Sequence, residues 1–243
     1  IAASPLRGVT PGEPFDITPY VQAANEYILT LIPDFKLPRK FKMAFSNGLE
    51  SDSHVDFKDF GFLAKADGTF TVFVGGGLGV KAFKGHVLAE GVDPADLLYY
   101  IKAMFRTYIE NGDFQHRNAN RTRFLVESMG IDKFRDAFHK SLTYAKRTEN
   151  LHFDLPDTKI TKTGEMTLTA AGLEGNPRVS PQSQTGLYAV AYHPLGGQVK
   201  SEIMTQVFRY VGSLEAGEAR LTGTEGAYFI NLTADEAAKV IAL

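Results

Sequence analysis

Apolar residues recur every three to four positions at Val21, Ala24, Ile28, Leu29 and Ile32, which predicts a helix over TPYVQAANEYILTLI, residues 18–32. Thr18 stands where an N-cap belongs and Pro19 at the first helical position. FKMAFS, residues 41–46, alternates and predicts a strand. FGFLAKADGTFTVFVGG, residues 60–76, predicts a hairpin that turns at Asp67-Gly68. In VDPADLLYYIKAMFRTYIENG, residues 92–112, Asp93 caps a helix, Pro94 begins it and Gly112 follows its end. Two basic amphipathic helices follow over about 118–129 and 131–146, divided at Gly130. Periodicity then fades between Leu151 and Thr185, a connector longer than compact domains usually contain. Order returns with a strand in GLYAVAYH, a helix in QVKSEIMTQVFRYVG, strands in EARLTG and AYFINL, and a helix in TADEAAKVIAL with a Thr233/Glu236 capping box. This is a βαββα unit, too small to be left without cover on its sheet, and no close internal repeat of it is evident. The expected class is α+β, with a first domain over 1–150, a strap over 151–185 and a half-size unit over 186–243.

A chain of 243 residues has room for one large domain or two small ones, and 44% hydrophobic with 22% charged residues reads as soluble and globular. The formal net charge of −2 gives no global field to gather nucleic acid or an anionic membrane. No apolar run approaches the ~18 residues of a membrane span, and no signal peptide is visible, so a cytoplasmic location is expected. There is no cysteine, hence no disulfide and no thiolate ligand from this chain. The histidines lack ligand spacing, so no metal site is expected. No G-x-S-x-G, P-loop or paired-carboxylate arrangement occurs. The first residue is Ile1 rather than Met, so the chain is expected to be processed, trimmed or cut out of something longer.

With a negative total, local cations stand out. Arg39, Lys40 and Lys42 crowd LPRKFK. In an extended chain Lys40 and Lys42 share one side and Arg39 takes the other. Two ammonium groups on one side repel unless an anion lies between them; the alternative is a solvated basic strand edge. In VGGGLG, residues 74–79, Gly75, Gly76 and Gly77 could bring backbone N–H groups close to an anion, or form a flexible turn. The spacing is not a dinucleotide fingerprint. Arg121 and Arg123, with Arg117 upstream, open a helix, where cations oppose the helix dipole. That placement suits an external carboxylate or phosphate, or else a solvated helix face. His193 ends a strand and reads as a rim residue. One large polyanion would serve all three elements at once.

ASPLRGV, LPRKFKMAFS, DFGFLAK, TVFVGGGLG, RNANRTRFLVESMGIDKFR and GLYAVAYHPLGG…ARLTGTEGAYFINL follow one another in the order found in the sirohaem-dependent nitrite/sulfite reductases, which the chain resembles over nearly its whole length. The resemblance implies a fold duplicated about a pseudo-twofold axis, with 1–150 as the first larger domain, 151–185 as the strap between copies and 186–243 as the second ferredoxin-like half-unit. It implies sirohaem, a macrocycle rich in carboxylates, as the polyanion. Lys40 and Lys42 would then be the catalytic pair that binds sulfite or nitrite and supplies protons during its six-electron reduction. Arg39, Arg121 and Arg123 would hold haem carboxylates, and Gly75–Gly77 would let backbone approach the ring. The family's [4Fe–4S] cluster is held by cysteines of a second larger domain, so the resemblance places the cluster in the full-length protein and not on this chain. The isolated chain is accordingly expected to be inactive. Electrons would come from ferredoxin or a flavoprotein, and neither nucleic acid nor membrane is an expected partner. Where the family carries R-x-T-x-x-Q-N, this chain has Glu225 and Gly226 after Arg220 and Thr222. A non-catalytic module that binds a tetrapyrrole or another polyanion is the alternative.

Overall fold

The computed structural model describes residues 1–48, 53–79, 81–116 and 118–243. The chain divides into two compact units, one of residues 1–3 and 14–157 and the other of residues 4–13 and 158–243.

The first unit is a mixed sheet carrying helices. Strands β1 (Ala2–Ala3), β2 (Met43–Ser46), β3 (Phe60–Ala64), β4 (Phe70–Val74) and β5 (His86–Val92) lie in that order. β1–β2–β3 runs parallel, and β3–β4–β5 is antiparallel with register shifts between β4 and β5. The helices are α1 (Thr18–Leu31), α2 (Leu97–Asn111), α3 (Thr122–Met129) and α4 (Ile131–Thr148). The hairpin predicted at Asp67-Gly68 forms, and Gly68 takes the left-handed φ of +82° its turn requires. Asp93 caps a short 3-10 turn, Pro94–Asp96, by accepting from the Ala95 N–H, and α2 continues from it.

β2 departs from the alternation expected of it, since all four of its residues are buried. Its sheet is covered on both faces. On one, Phe60 meets Phe138 of α4 at 6.4 Å between ring centroids. The other is closed in part by the 3-10 turn Val55–Phe57, which lies so close that a Cβ on Gly61 would be 2.2 Å from the Val55 carbonyl oxygen. Phe45 stacks on its register partner Phe62 at 4.8 Å. Large aromatic rings thus supply the inner layer that alternating aliphatics supply elsewhere.

In the second unit, β6 (Val179–Pro181), β7 (Tyr188–Tyr192), β8 (Glu218–Leu221) and β9 (Ala227–Leu232) form an antiparallel sheet in the order β6-β7-β9-β8. α5 (Ser201–Gly212) and α6 (Ala234–Ala242) pack Val207, Val211, Ala237 and Val240 against Val190, Phe229 and Leu232. The opposite side gathers Val9, Ala189 and Ile230 with Leu6, Ile160 and Tyr228. Residues 4–13, read from sequence with the first domain, therefore cover the sheet of the second unit. Of the stretch 151–185, read as a strap, residues 151–157 belong to the first unit and 158–185 are built into the second. The anchor there is Lys162, whose ammonium, 7% exposed, donates to the Glu215 and Asn231 carbonyls at 3.0 Å each and to Glu236 Oε2 at 2.6 Å. Glu236 Oε2 also accepts from the Thr233 N–H at 2.8 Å in the capping box that opens α6. Both units together make a mixed α+β chain, as expected.

Candidate functional site

The site grows from one buried carboxylate that the sequence did not single out. Asp59 stands just before β3 and has no exposure to solvent. Its Oδ1 accepts from Arg121 Nε at 3.0 Å and from the Thr122 hydroxyl. Its Oδ2 accepts from Arg121 Nη2 at 2.6 Å and from the Lys42 backbone N–H at 2.8 Å. Its own carbonyl accepts from the Gly75 N–H at 3.1 Å. The ends of the LPRKFK segment, the glycine loop and α3 therefore meet on one residue. A charge buried this deeply persists only when paired and fully hydrogen-bonded, and the four donors supply that.

The segment before β2 is fixed from both sides. Phe41 turns inward onto Phe105 and Tyr108, at 5.0 and 5.9 Å between centroids. Lys40 and Lys42 are consequently exposed together, as the alternation of an extended chain requires. Asn120 Nδ2 donates to the Pro38 carbonyl at 2.7 Å, and the Tyr108 hydroxyl donates to the Asn120 carbonyl. Burial, then the charge of Asp59, pushes the Tyr108 phenol well above the ordinary tyrosine value, so it stays a donor. Among the described residues, the side chains of Arg39, Lys40 and Lys42 meet no carboxylate, whereas Arg121 has spent Nε and Nη2 on Asp59.

The glycines answer to neighbours within the chain. Gly75 has φ +78°, and a Cβ there would press on Val126 at 3.1 Å. On Gly76 a Cβ would lie 2.5 Å from the Asp56 carbonyl and 2.8 Å from that of Lys58, which backbone cannot yield. Gly77 bridges Phe83 through paired backbone bonds of 2.9 and 2.8 Å. Arg123 lies over Gly77, donates from Nη1 to the Lys81 carbonyl at 2.8 Å and stacks on Phe124 at 4.6 Å. Its buried Nε has no hydrogen-bond partner among the described residues. Arg123 thus joins the glycine loop rather than the Asp59 hub. Arg117 falls outside the described residues.

Lys58 was also missed. It is half-buried beside Asp59, and burial, then the charge of Lys42, pulls its ammonium below the ordinary lysine value, against a smaller upward pull from Asp59. The sequence signal for both residues was the dipeptide KD directly ahead of an apolar strand; nothing in it reveals which of the two is buried.

In the second unit Arg220, the arginine of the motif read against the family pattern, is turned to internal use. Its Nη1 donates to the Pro5 and Arg7 carbonyls at 3.0 and 2.6 Å, and Nε and Nη2 engage Glu218. Thr222 Oγ1 closes the following turn by accepting from the Gly226 N–H at 2.9 Å, with Glu225 at φ +63°.

The first unit thus combines a mixed α+β sheet with cations that, among the described residues, meet no carboxylate. The family description "Nitrite and sulphite reductase 4Fe-4S domain" matches residues 1–146, and the chain belongs to the nitrite and sulphite reductase family. It is 26% identical over 227 residues to the chloroplastic ferredoxin–nitrite reductase of Arabidopsis thaliana, covering 90% of this chain and 37% of the relative. To the NADPH sulfite reductase hemoprotein beta-component of Acidithiobacillus ferrooxidans it is 33% identical over 108 residues, 40% of this chain and 19% of the relative. The solved structure of the Mycobacterium tuberculosis NirA protein matches the whole chain and 42% of its own length, with TM-score 0.75 and 24% identity, a likeness of fold. The chain thus spans about two-fifths or less of the relatives it matches.

The two cofactors the family implies fare differently against these side chains. A [4Fe–4S] cluster takes thiolate ligands, and the chain contains no cysteine. Among the described residues no cluster of His, Asp or Glu could hold a metal ion either. A carboxylate-rich tetrapyrrole suits the cations without carboxylate partners at residues 39–42.

Proposed function

We propose that this chain supplies the anion-facing part of a sirohaem-dependent oxidoreductase that reduces sulfite or nitrite by six electrons, with the isolated chain inactive. The observation that carries this reading is the set of cations without carboxylate partners, Arg39, Lys40 and Lys42, on a backbone fixed by Asp59, Asn120 and Tyr108.

Sirohaem, when bound, supplies the iron that takes the substrate and delivers electrons to it. Lys40 and Lys42 bind the oxyanion by charge-assisted hydrogen bonds from Nζ. Their positive charge offsets the negative charge that builds on substrate oxygen, and each ammonium can pass a proton to an oxygen that leaves as water. Arg39 holds a haem carboxylate. Arg121 contributes only through Nη1, because Nε and Nη2 are committed to Asp59. Arg123 keeps the glycine loop Gly75–Gly77 in shape and presents a guanidinium edge beside it. The cluster belongs to other parts of the full-length protein. Ferredoxin, which appears in the name of the plant relative, is the proposed electron donor, with a flavoprotein as the other candidate. A cytoplasmic location is part of the proposal; among the described residues no helix is long and apolar enough to cross a membrane.

The test is sirohaem content, read from absorbance and iron analysis of the full-length protein. Arg39→Met should lower occupancy severalfold at an unchanged melting temperature. Full occupancy in that variant would remove the carboxylate-clamp role. A second reading, a binding module without redox chemistry, draws on the internal use of Arg220 and on the missing cysteines. It requires a full-length protein that binds tetrapyrrole but carries no cluster.

A further inference from the structure

We propose that Lys58 is a third lysine of the Lys40/Lys42 anion site and that it shares with Lys42 one anionic oxygen group of the ligand. This extends the reading of Lys40 and Lys42 given above and rests on it.

Backbone geometry sets the two lysines side by side. The Phe60 N–H donates to the Lys42 carbonyl at 3.2 Å, and the Lys42 N–H donates to Asp59 Oδ2 at 2.8 Å, so residue 42 runs alongside residues 58–60. The carboxylates nearest in sequence are already engaged. Asp59 is saturated by Arg121, Thr122 and the Lys42 N–H. Asp56 faces Lys84 at 3.7 Å. Neither the Lys58 nor the Lys42 ammonium has a hydrogen bond or ion pair with a described residue. Lys58 is nonetheless half-buried rather than extended into water.

A lysine with a free surface would swing away from a like charge, since a long flexible stem gives it that choice. Lys58 starts from a fixed point instead. Its carbonyl lies under Gly76, and the next residue is the buried hub. Desolvation and the neighbouring ammonium both disfavour its charge. An oxyanion or carboxylate placed between the two ammonium groups removes both penalties at once, and the ligand chemistry called for is therefore an anionic oxygen. A small inorganic oxyanion and a tetrapyrrole carboxylate both provide it.

The experiment uses the 243-residue chain labelled with carbon-13 at lysine Cε. Lys40, Lys42 and Lys58 are assigned from their Lys→Arg variants. Sodium sulfite, sodium nitrite and the polycarboxylate uroporphyrin III are titrated in separately, each against sodium chloride at matched ionic strength. The expected result is that the signals of all three lysines move while that of Lys65, exposed near the hairpin turn, does not. Lys58→Met should weaken binding about tenfold without lowering the melting temperature. Movement of Lys58 with uroporphyrin alone supports the proposal and assigns the residue to a tetrapyrrole carboxylate; movement with sulfite or nitrite assigns it to the small oxyanion. If Lys40 and Lys42 respond and Lys58 stays still with every probe, or if Lys58→Met binds as tightly as the parent, the proposal is overturned while the reading of Lys40 and Lys42 stands. If none of the three responds, both fall together.

Discussion

Replacing Asp59 by asparagine keeps the shape of the side chain and breaks the hub. The carboxylate now accepts four hydrogen bonds, two on each oxygen, from Arg121 Nε and Thr122 on one side and from Arg121 Nη2 and the Lys42 N–H on the other. Asparagine offers one oxygen and one NH2 group. In either orientation two of the four donors face another donor. Each orphaned buried donor costs roughly 1–3 kcal/mol, and Arg121, with its side chain 14% exposed, is left without its counter-charge. Loss of one partner from a buried pair costs about 3–5 kcal/mol, a range that already contains those orphaned donors. A unit of this size loses about 2–4 °C of melting temperature per kcal/mol, so Asp59→Asn should melt on the order of 10 °C lower. Urea unfolding should show the same loss as a lower midpoint with an unchanged slope. A midpoint that gives a loss under about 1 kcal/mol would show that Asp59 is not the tie between the Lys42 segment, the glycine loop and α3.

Other substitutions probe separate parts of the structure. Lys162→Met removes an ammonium that meets two carbonyls and Glu236; it should cost about 2–4 kcal/mol in urea unfolding, and a neutral outcome would mean that residues 158–166 are not pinned to α6. Gly61→Ala sets a methyl 2.2 Å from the Val55 carbonyl oxygen, and the expected loss exceeds about 2 kcal/mol; wild-type stability would refute the close cover of β3 by the 3-10 turn. Lys58 has a pH signature with a fixed sign. Its folded-state pKa lies below the ordinary 10.5 because of burial and Lys42, with Asp59 opposing. The charged form is thus penalised in the fold at pH values below the folded pKa, and the penalty is relieved as pH rises toward 10.5. Lys58→Met should raise the urea midpoint at pH 7 and lose that advantage at pH 10.5. An advantage equal at both pH values would contradict the burial of the charge.

Much of the architecture was legible because it rests on local signals. The Asp67-Gly68 turn, the Asp93-Pro94 start of the helix after β5 and the Thr233/Glu236 capping box each declare themselves within a few residues. β5 and β6 were not legible. HVLAEGV buries its residues irregularly and carries a register shift against β4. VSP is three residues long and ends in a proline, which an edge strand tolerates. The cover that residues 4–13 give to the second sheet was invisible for a different reason, since Val9 meets Ala189 and Ile230 across most of the chain's length. The candidate site divides along the same line. Lys40 and Lys42 announce themselves as charges that alternate with an aromatic. Asp59 does not, because a buried carboxylate and a solvated one look alike until Arg121 and Thr122, more than sixty positions away, are seen to reach it. The glycines were visible, but not the Asp56 and Lys58 carbonyls that require them.

The decisive measurement is turnover of sulfite and nitrite by the full-length protein with a reduced dye as electron source, made in parallel on the parent, Lys40→Ala and Lys42→Ala. Sirohaem absorbance and melting temperature should be read on the same samples. A haem-loaded parent that reduces at least one of the two anions is expected, with each alanine variant slowed about a hundredfold at unchanged haem content and melting temperature. A colourless full-length protein would contradict the assignment of this cation cluster to a reductase, as would alanine variants that turn over like the parent.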